Sequence, residues 1–169
     1  ELCQPGYSEK DRRVAFAELL WIGNTEWRSA RLARLDLAGV QLSGADIRQA
    51  WMEGCKLSEA DLSDTTLRQT QLPQSVLSRA SLLRADLFEV NLHKSELQET
   101  VFDFADIRGG NLAQSDATGA SFIEADLSGA RMELIKLHGA NLQLANLAEA
   151  DLRLADMRAA TLTATNLTN

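Results

Sequence analysis

Every fifth residue from Leu32 to Leu167 is large and apolar, with one exception. The 28 positions hold 20 Leu, 3 Met, 2 Ile and 2 Phe, and only Ala117 departs, so the register never slips over the whole stretch. Two residues ahead of each lies a second register, from Ala30 to Thr165, in which 24 of 28 members are Ala, Ser, Thr, Gly or Cys. The unit is small–polar–large apolar–polar–polar, as in Ala60-Asp61-Leu62-Ser63-Asp64. Self-similarity at a fixed period constrains the fold before any local propensity does.

A helix turns 100° per residue, so an apolar position every five residues walks around it and builds no stripe. A continuous strand fails as well, because an odd period would flip faces at each repeat. The pattern works when each repeat is a short extended piece followed by a turn. The small and the large apolar residue, two apart, then point the same way, and the turn aims the next pair inward again. Stacked coils of such repeats would pair backbones about 4.8 Å apart. The period alone leaves open how many repeats make one coil.

Segments such as ADLSD (60–64), ADLFE (85–89), ADLSG (125–129), ANLQL (140–144), ANLAE (145–149) and ADLRL (150–154) resemble the pentapeptide-repeat family, whose pattern is A(D/N)LXX. The resemblance covers Ala30–Asn169. It implies an all-β solenoid, a right-handed quadrilateral β-helix with four repeats per coil. Seven coils follow, a rod about 30–35 Å long. The organisation expected is an N-terminal capping segment over residues 1–29 and the repeat domain over 30–169.

In the capping segment, Ser8 with Glu9 and Asp11 reads as a helix N-terminus. Val14, Ala17, Leu20 and Trp21 follow near helical spacing, and Gly23-Asn24 reads as the stop. An amphipathic helix over 8–22 is therefore expected to cover the first coil, since a solenoid end exposes apolar residues and unpaired backbone. Trp27 keeps the register but is bulky for a coil interior, and it is expected to fill the gap beside this helix. At the other end Leu152, Met157, Leu162 and Leu167 are expected edge-on. Either a second copy covers them, in a homodimer through the C-terminal end, or the native chain continues. Quinolone-resistance members of the resembling family that bind DNA gyrase dimerise through that end. The short helical tail usual there is absent from this sequence.

Composition narrows the function classes. A net charge of −7 opposes direct nucleic-acid binding, which needs clustered Lys and Arg. No apolar run near 18 residues offers a membrane span. Cys55 takes a small inward slot and reads as a buried structural thiol, with a disulfide to Cys3 as the alternative. The compartment expected is the cytoplasm; a chain beginning at Glu1 leaves processing, and a periplasmic or secreted site, open. Met52, Met132 and Met157 read as core filler. With four repeats per coil, Phe102 and Phe122 stack near Ala117, and their rings are expected to fill the space a Leu would take there.

On the surface, Asp86, Asp106 and Asp126 share a column, a spacing that suits a cation or an acid–base pair. Arg68 and Arg108 beside them favour a structural role. His93 and His138 fall on different faces, so neither a metal site nor a catalytic triad is supported. No cofactor, metal or catalytic residue is expected, and the chain is not expected to be an enzyme. The remaining feature is apolar residues in outward slots: Leu83, Val101, Phe104, Ile123 and Leu144 on one face with Phe88 near its edge, Leu134 and Leu154 at another corner, and Trp51 alone. A contiguous apolar patch marks a contact surface. The expected function is a non-catalytic protein-interaction module, a rigid rod with an adhesive face. The alternative implied by the resemblance is an acidic DNA mimic that regulates a type II topoisomerase.

Overall fold

The computed structural model describes residues 27–168, and over them the chain winds as a four-sided solenoid. Each repeat contributes one bridging residue, which pairs in parallel with the residue twenty positions on: Arg31 with Trp51, Trp51 with Gln71, and so to Asp151. The same holds for ladders starting at Asp36, Gln41 and Asp46. Four repeats therefore make one coil. We call the sides A (ladder Arg31 to Asp151), B (Asp36 to Asp156), C (Gln41 to Thr161) and D (Asp46 to Asn166). Only single bridges form, because each extended piece is cut short by its turn.

The backbone chemistry of one repeat explains the motif. The bridging N–H donates to the coil before (Asp61 to Val40 O, 2.9 Å), and the next N–H donates to the coil after (Leu62 to Ser81 O, 2.7 Å). Two turn residues follow, and the second of these donates onward too (Asp64 to Leu83 O, 2.8 Å). The inward small residue closes the turn by donating three positions back (Thr65 to Leu62 O, 3.3 Å). One N–H is left over, that of the first turn residue. An Asp or Asn at the bridging position accepts it through Oδ1, as Asp61 does from Ser63 at 3.0 Å and Asn91 from His93 at 3.1 Å. This side-chain mimic of a backbone turn is the physical reason for Asp or Asn beside the inward Leu. It also explains Pro73, which occupies the slot whose N–H the coils do not use.

The second turn residue is held left-handed throughout: Gly39 at φ +68°, but also Asp64 at +58° and Phe104 at +60°. An L side chain there costs about 1–2 kcal/mol, which the bonds to neighbouring coils must overcome. Inside, the Leu columns are buried from Leu32 to Leu147, each buried Leu contributing about 1.5–3 kcal/mol. Phe102 and Phe122 stack with ring centroids 4.9 Å apart and planes 2° from parallel. That separation matches the coil spacing, as identical orientations in successive coils require. Ala117 is equally buried.

A polar column runs within this core on side A. Cys55, Ser75, Ser95 and Ser115 stack in the small register, and their Sγ or Oγ atoms donate to the carbonyls of Leu32, Met52, Leu72 and Leu92 at 2.7–3.0 Å. Each of the last three side-chain oxygens also accepts the N–H of the residue one coil earlier, at 3.2–3.3 Å. Cys55 is thus a buried thiol built into the wall, while Cys3 lies outside the described residues. So does the helix expected over 8–22. The repeat geometry is already in place at Trp27, the first described residue. Its N–H reaches Asp46 O at 2.6 Å and its side chain is buried in the core column below Ile47. Trp27 therefore occupies an inward slot of the solenoid.

Candidate functional site

Side C brings together five of the six residues expected at the binding face. Leu83 and Ile123 take the first turn position of their repeats, Phe104 and Leu144 the second, and Val101 the bridging position of the Phe104 coil. Over four successive coils the apolar residue thus alternates between the two turn columns. Phe104 is 51% exposed and Leu144 48%, with Leu83, Val101 and Ile123 half-buried below them. The alternate slots carry Arg84, Asp103, Glu124 and Gln143. Arg84 is tied back to Asp64 by two 2.7 Å bonds, which hold the Asp64 carboxyl below its usual range. Asp103 accepts the Ser121 hydroxyl and the Ile123 N–H, so it is fixed in place.

Phe88 is not part of this strip. It falls one corner on, in the turn column of Arg48, Arg68 and Arg108 on side D, with the Arg68 guanidinium 4.5 Å and the Arg108 guanidinium 5.6 Å from its ring centre. The twenty-residue repeat decides this, since it stacks 88 on 68 and 108 rather than on 83 or 103. Such cation–π stacking serves the rod itself.

The carboxylate column is likewise consumed by neighbours. Arg68 meets Asp86 at 3.1 Å, Arg108 clasps Asp106 at 2.6 and 2.7 Å, and Asp126 accepts from Asn146 at 3.1 Å. Asp46 is shared by Arg48 and Arg28 and titrates far below the ordinary carboxylate range, the Arg48 side chain contributing most. Among the described residues no group of three or more His, Cys, Asp or Glu is placed to hold a metal ion, and no helix is long and apolar enough to cross a membrane. The surface depressions are open grooves, such as that lined by Ser29, Arg31, Gln49 and Trp51.

The last coil presents the residues expected at a dimer end. Leu162 and Leu167 are 38% and 48% exposed, and Leu152 and Met157 are half-buried, whereas Leu142 and Leu147 one coil earlier are enclosed. The N–H groups of these four donate to no backbone carbonyl among the described residues. Leu134 and Leu154 stack at the side A corner, 49% and 81% exposed.

Reading apolar outward slots one at a time misses Asp103 and Glu124. Laying the two turn columns of side C beside each other at a step of twenty would have found the alternation. The serine column inside side A was visible only as small residues, since composition does not say where a buried hydroxyl finds its acceptor.

The family model for pentapeptide repeats matches eight copies over residues 28–58, 55–93, 95–133 and 135–169. No curated protein sequence matches at a significant level. Solved structures similar to this chain include HetL, a pentapeptide repeat protein involved in heterocyst differentiation regulation from the cyanobacterium Nostoc sp. strain PCC 7120. It is 23% identical, with 90% of this chain and 93% of that one covered and a TM-score of 0.38. Rfr23 from the cyanobacterium Cyanothece 51142 is 18% identical over 92% and 96% of the two chains, at a TM-score of 0.40. Full-length QnrB1, a plasmid-mediated fluoroquinolone resistance protein, is 16% identical over 85% and 92%, at 0.46.

Proposed function

The chain belongs to the pentapeptide-repeat family, and from that premise we propose a non-catalytic protein-interaction module whose contact surface is the side C strip of Leu83, Val101, Phe104, Ile123 and Leu144. One observation carries the reading. Phe104 and Leu144 are large apolar side chains held at φ +60° and +59° while about half exposed. The left-handed turn is common to every repeat, but the exposure of these side chains adds nothing to folding stability, and with Leu83, Val101 and Ile123 they form one apolar strip over four coils, as a contact surface does. Cross-linking capture with Phe104→Asp tests this. Asp64 holds the same slot two coils earlier, so the fold accommodates the change. Loss of captured partners is expected; an unchanged set would refute the strip.

A separate contact between two copies is proposed from the partly exposed inward-register residues Leu152, Met157, Leu162 and Leu167. Light scattering over a range of concentrations tests it, and a monomer throughout would end the idea. The DNA-mimic reading has Glu96, Glu99, Asp103, Asp106, Asp116, Glu124 and Asp126 in its favour, all within two coils. Arg79, Arg108 and Lys136 neutralise three of them, at 3.0, 2.6 and 3.0 Å, which makes it the weaker reading. Supercoiling by purified gyrase, unaffected by added protein, would remove it.

A further inference from the structure

The side C strip has a spacing that selects what can lie on it. Coils stand about 4.8 Å apart, so the run Leu83, Phe104, Ile123, Leu144 spans three steps, about 14 Å along the rod. An α-helix laid along the rod offers a contact residue every three or four positions, a step of about 5 Å, and three steps cover about 16 Å. An extended strand offers one every second position, about 6.7 Å apart, and three steps cover about 20 Å. The helix stays in phase with the coils; the strand is out of register by the third. The row on a helix also zigzags about its seam, as these four residues do between the two turn columns.

Charge narrows the occupant further. Arg84 is spent on Asp64, and Gln143 is neutral. Asp103 and Glu124 flank the seam in alternate slots and belong to no ion pair among the described residues. We infer that the strip receives an amphipathic α-helix of a partner protein, apolar along one seam and bearing Lys or Arg beside it. This rests on the reading of side C as a protein-binding face and names the chemistry of its partner.

Two synthetic Leu/Lys peptides of identical composition separate the possibilities, one with Leu at helical spacing and one strictly alternating. Their binding to the full chain is followed by fluorescence anisotropy, beside a Leu/Glu peptide of helical pattern. The helical Leu/Lys peptide is expected to bind at least about tenfold more tightly than either other, a difference of about 1.4 kcal/mol. Phe104→Gln with Leu144→Gln should lose about tenfold; Gln holds the same left-handed turn position at residues 49, 69, 74 and 114. Glu124→Lys, a residue type that position already carries at Lys94, should weaken the Leu/Lys helix and favour the Leu/Glu one. Equal or tighter binding of the alternating peptide, or no binding of the helical one, overturns the helix and leaves the strip to the capture experiment. Equal binding by the Gln double variant overturns both.

Discussion

Ser95 shows how much one buried oxygen does in this wall. Its Oγ donates to Leu72 O at 2.9 Å and accepts the Ser75 N–H at 3.3 Å. In the turn carrying Pro73, Ser75 N and Leu72 O do not bond each other, so Ser95→Ala would strand both. Ser115 is placed identically, yet Ser95 N and Leu92 O already bond at 3.2 Å and would keep each other. Each stranded buried group costs about 1–3 kcal/mol. Urea denaturation should show Ser95→Ala losing at least about 2 kcal/mol and Ser115→Ala under about 1; equal losses would contradict the bonding. Titration works at the same scale. The Arg48 side chain holds Asp46 low, Arg108 does so for Asp106, and Arg158 holds Asp156 at about 2. Carboxylates depressed in the fold stabilise it above the unfolded value near 4, and that contribution disappears as pH falls through the folded values. The melting midpoint should change little from about pH 7 to 5 and fall below about pH 4. A midpoint constant down to pH 2 would show that these pairs contribute nothing to stability.

The repeat is the element, and its columns fix what each coil tolerates. Phe102 and Phe122 stack on side C while Ala117 interrupts the Leu column of side B. If the rings fill the space left there, Ala117→Leu overpacks and costs about 1–3 kcal/mol. Phe122→Leu should then relieve it, giving a double variant more stable than the sum of the two single changes. Additive losses would mean that ring and alanine are independent. The inside and outside of every repeat were legible in the sequence, because small and large inward residues sit two apart at a constant step. The reason for Asp or Asn was not, since a motif does not reveal that the first turn N–H lacks a backbone acceptor. Phe88, expected near the edge of the Phe104 strip, lies one corner on, because the coil stacks it between Arg68 and Arg108.

At the scale of the rod, stability should vary with distance from the open edge. Leu82 has no exposed surface and is enclosed between coils, whereas Leu162, in the same inward register, is 38% exposed. Leu82→Ala should cost about 2–5 kcal/mol and Leu162→Ala less than about 1, checked by thermal melting of dilute protein. Similar losses would indicate that another surface covers the last coil. The five-residue register by itself determined which residues line the tube, which form its turns, and that no helix or simple strand could hold residues 30–167. Those are local matters of where a side chain points after a short extended piece and a turn. Only the tertiary structure decided which residues stand above one another, and with that the serine column, the Arg–Phe–Arg stack and the alternation of apolar and acidic residues on side C. Stacking depends on the angle accumulated over four successive turns, and backbone bonds between coils lock that angle only once the coil has closed.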